Sequence, residues 1–184
     1  MTDEELASAV QAGNPDMFGL LMERYQEKLL RYGRKFLSTP EDIEDIVQDV
    51  FVSAYQNIQS FDATQRFSPW VYRIEHNAFV NGLRKKSRNP LVYVDFDTFL
   101  AHQVYDDPAM REREQKEIEN MLEKSLEGLD YKYREVLILY YLEDMSYKDI
   151  AEILQVPQGT VGVRLKRAKA SLRKEFEKID ASYG

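Results

Sequence analysis

No position in this 184-residue chain offers a thiol: cysteine is absent, which excludes disulfides and thiolate nucleophiles. There are only two histidines, no histidine–carboxylate pairing and no glycine-rich phosphate loop. No enzyme activity, metal site, cofactor or small-molecule substrate is therefore expected. What remains are side chains suited to nucleic acid. In residues 61–88, FDATQRFSPWVYRIEHNAFVNGLRKKSR, the rings of Phe61, Phe67, Trp70, Tyr72 and Phe79 interleave with Arg66, Arg73, Arg84, Lys85, Lys86 and Arg88. Aromatic faces stack on unpaired bases while cations follow the phosphates, a combination suited to single-stranded nucleic acid. Taken singly, Trp70 reads equally well as core, and a basic run at a helix end complements its dipole.

The second candidate set is SYKDIAEILQVPQGTVGVRLKRAKASLRK, residues 146–174. Ser146 and Asp149 have the spacing of a capping box, with Asp in the usual Glu or Gln place. Ile150, Ala151 and Leu154 give the short helix that follows one apolar side. Val156-Pro157 interrupts it, because the residue before a proline is pushed out of the α region and proline suits a first helical turn. Gln158 or Thr160 is expected to cap the next helix. There Val161, Leu165, Ala168, Leu172 and Phe176 share one stripe, and Thr160, Val163, Arg164, Arg167 and Lys174 lie opposite. This is a helix-turn-helix pattern whose second helix suits a major groove. A solvated basic face is the plainer alternative.

The remaining elements must position these two sets. Residues 2–13 read as a helix capped by Thr2, and about 15–37 as a longer one, with Phe18, Leu21, Met22, Tyr25, Leu29 and Tyr32 among its buried side chains. After a break and cap at Ser38-Thr39-Pro40, residues 41–58 form a third helix with a broad apolar arc that includes Ile43, Val47, Val50, Phe51 and Ala54. Asp42, Asp45 and Asp49 form a neighbouring strip, with Gln48 and Tyr55 on the arc's far flank. Acidic residues near a helix start favour its dipole, and the same strip suits docking of a basic partner; the pattern leaves both readings open. Pro69 is expected to open a fourth helix. Residues 111–126 and 133–142 read as helices packing with the helix-turn-helix, giving an all-α chain of two small helical domains joined by an acidic linker.

Net charge is −7, unevenly spread: −6 for residues 1–60, +4 for 61–90, −4 for 91–109, −5 for 110–154 and +4 for 155–184. Two basic islands in an acidic chain suit contact with nucleic acid at two places and repulsion elsewhere. The acidic N-terminus MTDEEL is the reverse of a signal peptide and no long apolar run is present, so a cytoplasmic location is expected. A stand-alone helix-turn-helix regulator with a helical sensing domain, or a helical adaptor, are the competing classes. Residues 1–88 show no receiver or ligand-pocket pattern for the first, and an adaptor would not need two basic islands.

The succession EDIEDIVQDVFVSAYQNIQSF, RFSPWVYRIEHN, LRKKSR and MSYKDIAEILQVPQGTVGVRLKRAKASLRK resembles the bacterial RNA polymerase sigma factors of the extracytoplasmic-function group, over roughly 16–88 and 112–178. The resemblance implies a region 2 domain at 1–88, an acidic linker at 89–110 running through the polymerase channel, and a region 4 domain at 111–184. It implies that Asp42, Asp45, Gln48, Asp49, Phe51 and Tyr55 contact the clamp helices of the largest subunit of core RNA polymerase, and that region 4 meets the flap. It assigns melting and reading of the −10 promoter element to Phe61, Arg66, Phe67, Trp70, Tyr72, Arg73, Asn77, Asn81, Arg84, Lys85 and Arg88, with Asn77 at a pocket for a flipped base. Gln158, Thr160, Val163, Arg164, Lys166 and Arg167 are implied to read the −35 duplex. An anti-sigma factor, membrane-anchored in many cases, is the implied regulator. Gly162-Val163 departs from a basic and a small polar residue common in the family, as do Glu75-His76 and Asn81-Gly82 from their usual counterparts; promoter sequence is what these changes affect.

Overall fold

The computed structural model describes residues 1–34, 39–86, 121–122 and 124–183. Among these there is no strand, and the chain divides into two compact units. The first is built from α1 (Asp3–Gln11), α2 (Asp16–Arg34), α3 (Pro40–Asn57), a 3-10 turn (Ile58–Ser60) and α4 (Phe67–Lys86). The second carries α5 (Tyr131–Tyr141), most of α6 (Tyr147–Leu154) and α7 (Gln158–Tyr183). The expected linker and most of the helix expected at 111–126 lie outside the described residues.

In the first unit, α1 starts at a complete capping box. Thr2 Oγ1 accepts from the Glu5 N–H at 3.2 Å, and the Glu5 carboxylate accepts from the Thr2 N–H at 2.8 Å. Asp3 then fastens α1 to α2, accepting from Arg24 at 2.6 Å and from the Tyr25 hydroxyl at 2.7 Å. Burial, followed by the neighbouring Asp3 carboxylate, pushes the Tyr25 phenol well above its ordinary pKa. From α2, Phe18, Leu21, Tyr25, Leu29 and Tyr32 enter the core, whereas Met22, expected there, is 39% exposed. At Gly33 the helices approach so closely that a Cβ would sit 2.6 Å from Phe79 Cζ and 2.7 Å from Ile43 Cγ2. Only glycine fits.

Two helix starts in this unit differ from expectation. Thr39 precedes Pro40 at the head of α3, but its side chain makes no capping bond. α4 begins at Phe67, two residues before the expected Pro69. The reason is tertiary: the Phe67 N–H donates to Glu4 Oε1 at 3.0 Å, so a carboxylate from α1 meets a donor that the helix start leaves over.

The second unit centres on α5, whose Val136, Leu137, Ile138 and Leu139 are buried and which packs on α7. Asp130 caps α5, accepting from the Lys132 N–H at 3.2 Å. Arg134 is buried and donates to the carbonyls of Leu126, Glu127 and Leu129 at 3.0, 2.8 and 3.3 Å, closing the helical turn at 124–127. Its guanidinium pKa is held below the usual value chiefly by burial.

Candidate nucleic-acid and polymerase interfaces

The aromatic residues of the first basic island do not face solvent. Phe61, Phe67, Trp70, Tyr72 and Phe79 are all 8% exposed or less. Phe61 and Phe67 meet edge to face at 5.4 Å, both pack on Trp70, and Tyr25 closes on Phe67 at 5.4 Å. Tyr72 packs against Tyr32 at 5.4 Å. The expected base-stacking platforms are thus core residues here, because these rings gain more from each other and from α2 than from water. What the rings support is a short loop, in which Asp62, Thr64, Gln65 and Arg66 are exposed. Asp62 shapes it, accepting from the Thr64 hydroxyl at 2.7 Å and from the Thr64 N–H at 3.0 Å. Those two bonds hold the Asp62 carboxyl below its ordinary range.

Along α4, Arg73 is half-buried, and Asn77 and Asn81 are exposed one turn apart on the same side. Arg84 and Lys85 fall in the last turn of the helix, and Arg88 lies outside the described residues. Arg73, Asn77 and Asn81 therefore share one polar strip, and the aromatic members of the predicted set do not join it.

On α3, Asp45, Gln48 and Asp49 are exposed, Tyr55 is 47% exposed and Asp42 is half-buried. Phe51 is buried in the helix's core face, so it cannot be a direct contact. The Tyr55 ring is held edge-on to Phe18 at 5.1 Å, which fixes its direction. Val52 was missed by sequence reasoning. It is 55% exposed and lies three or four residues from Gln48, Asp49 and Tyr55, in the middle of the strip. Its spacing is the available signal: it falls outside the apolar arc and beside Gln48, Asp49 and Tyr55.

The helix-turn-helix is formed as its local signals require. The Asp149 N–H donates to Ser146 Oγ at 3.1 Å, and Asp149 Oδ2 accepts from the Ser146 N–H at 3.1 Å, completing the capping box. Gln155 turns the chain at φ 51°, a left-handed conformation that non-glycine residues seldom adopt. α7 then begins at Gln158, with the Pro157 carbonyl accepting from the Thr160 N–H at 2.8 Å. Thr160 accordingly lies within the first turn, and neither it nor Gln158 is the cap. Val161, Leu165 and Ala168 are buried, whereas Gln158, Val163, Lys166 and Arg167 are exposed and Thr160 and Arg164 half-buried. A Cβ on Gly162 would make ordinary contact, 3.5 Å from Tyr147 Cε2 on the first helix of the motif. Lys169 does not simply join the basic front. Its ammonium lies 5.3 Å from the Tyr141 ring centroid, and the bond with the Tyr141 hydroxyl raises its pKa.

An acidic strip with an apolar centre, a braced loop beside a polar helix strip, and a helix-turn-helix with a basic front define a class. Residues 21–89 match Sigma-70 region 2, and residues 119–172 match Sigma-70, region 4. The ECF RNA polymerase sigma factor SigW of Bacillus subtilis is 33% identical over 178 residues, covering 92% of this chain and 94% of that one. The ECF RNA polymerase sigma-E factor of Haemophilus influenzae is 32% identical, with 97% of each chain covered. Among solved structures, CnrH in complex with the cytosolic domain of CnrY matches with a TM-score of 0.70 at 26% identity, over 96% of this chain and 97% of that one. The sigma factor RpoE in complex with the anti-sigma factor NepR from Bartonella quintana shares the fold, at a TM-score of 0.67 and 23% identity over 87% and 96%. The chain belongs to the extracytoplasmic-function RNA polymerase sigma factors, which are DNA-binding transcription initiation factors. A stand-alone regulator is not favoured.

Proposed function

We propose that the α3 strip binds the clamp helices of core RNA polymerase, that the loop at 62–66 and the polar strip of α4 open and read the −10 element, and that α7 reads the −35 duplex. The division is residues 1–88 for the first two tasks and 111–184 for the last, with 89–110 as linker. The observation that carries the reading is the separation on α3: Asp45, Gln48, Asp49, Val52 and Tyr55 are exposed together while Phe51, Val50 and Ala54 are buried. Such a rim of charge around an exposed apolar residue suits a protein partner better than a merely solvated face. On α7, Lys166 and Arg167 serve phosphates or base edges, and Val163 offers apolar contact to a thymine methyl. The protein acts without catalysis of its own, in the cytoplasm; among the described residues no helix is long and apolar enough to cross a membrane. A partner that masks these surfaces is part of the reading, since CnrH was solved bound to the cytosolic domain of CnrY. We take that partner to be an anti-sigma factor.

Run-off transcription with purified core polymerase on a promoter library tests the reading. Asp45→Ala with Asp49→Ala is expected to weaken core binding about tenfold or more. Lys166→Ala with Arg167→Ala is expected to spare core binding and to lower promoter binding, with a shallower salt dependence. Equal loss of both activities in both variants would count against the assignment.

A further inference from the structure

The loop between α3 and α4 is held from outside itself, and the holding groups come from α1. Gln11, the last residue of α1, donates through Nε2 to two carbonyls, Ile58 O at 2.7 Å and Phe61 O at 2.8 Å. One neutral nitrogen with two N–H bonds serves both acceptors; a carboxylate would repel them and an alkyl chain would leave both unmet. At the loop's other end, Glu4 accepts from the Phe67 N–H. Burial alone would raise the pKa of Glu4. The hydrogen bonds from Phe67, from its own N–H and from Thr2 outweigh that, and the carboxyl is held below its ordinary range. Between these ties, Phe61 and Phe67 close the base of the loop ring against ring, and Asp62 fixes its turn. α1 is itself anchored to α2 through Asp3, so its ties are to a fixed element.

We infer that α1 is a clasp that pre-sets the 62–66 loop for capture of unpaired promoter DNA, with Gln11 and Glu4 as positioning residues that need not touch DNA. The inference rests on the proposed −10 role of that loop. Taking a base out of the stack costs a few kcal/mol, and ordering a slack loop at the same moment would add to that cost. A loop already shaped adds nothing. α1 also lies before residues 21–89, the part of the chain that matches Sigma-70 region 2.

The test uses the full chain with core polymerase and a promoter recovered by the transcription selection, with permanganate reactivity of −10 thymines as the measure of opening. Gln11→Met, which keeps length and removes both donors, is expected to bind core polymerase within about twofold of the original and to open promoter about tenfold less. Glu4→Leu should behave alike, while Glu4→Gln keeps an acceptor for the Phe67 N–H and should open promoter nearly as well as the original. Gln11→Met and Glu4→Leu opening promoter normally would overturn the inference. So would loss of core binding in the same proportion as opening, or Glu4→Gln being as impaired as Glu4→Leu. If the unaltered protein binds core polymerase but opens no promoter, the −10 reading of the loop fails, and the inference with it.

Discussion

The two elements assigned to DNA are built in opposite ways. The helix-turn-helix is tied locally: its capping box joins residues three positions apart, and its turn is set by Gln155 and Pro157 beside it. The 62–66 loop is tied by residues 47, 50 and 63 positions away, through Gln11 and Glu4. A duplex reader needs a helix of fixed hand and a basic face, which local rules supply. A loop that receives an unpaired base must hold a shape with no regular backbone pattern; its Asp62–Thr64 turn is local, but its two ends are fixed by tertiary contacts. Local ties form early in folding, and distant ones only after the intervening loops have closed.

This contrast has measurable consequences, the largest in the first unit. Gly33→Ala places a methyl against Phe79 and Ile43, and is expected to cost about 1–3 kcal/mol by overpacking. Trp70 is the chain's single tryptophan and lies in this unit, so its fluorescence during urea unfolding reports the loss directly. An unchanged midpoint would mean that α2 can move away from α4, contrary to the tight packing described. Ser146→Ala removes the local cap of α6 and is expected to cost about 1 kcal/mol. The far-UV circular dichroism transition should shift while the Trp70 transition stays in place; a matching shift in Trp70 would show that the two units unfold as one.

The smallest effect concerns pH. Glu4 has a folded pKa below its unfolded value of 4.5, so its contribution is complete above that value and is lost as pH falls through the lower, folded one. Glu4→Gln should remove that portion of the acid sensitivity of the Trp70 transition and leave the region above pH 4.5 little changed. Acid sensitivity identical to that of the original protein would show that the carboxylate does not carry the bond to Phe67 in solution.

Much of this architecture is legible in the order of the amino acids. The starts of α1 and α6, the apolar stripe Val161, Leu165 and Ala168, and the exposed Asp45, Gln48 and Asp49 all follow from capping chemistry and helical period, which act over a few residues. The same rules failed where two elements compete for one side chain. Phe61, Phe67, Trp70 and Tyr72 have the types and spacing of a stacking platform, yet α2 and the rings themselves bury them. Phe51 did follow its helical period into the core, against the contact role that the family resemblance implied.

Where most helices begin, which stripe of each is apolar, and the two basic islands in an acidic background can be read from the order of the residues. Those properties are fixed by local sterics, by caps and by counting charges. Tertiary structure alone decided that the aromatic island is a brace rather than a surface, that α4 starts at Phe67, and that Gln11 and Glu4 matter to a loop some fifty residues away. The physical reason is that burial and the pairing of leftover backbone groups depend on which distant segment comes to lie alongside, and no periodicity within a segment records its neighbour.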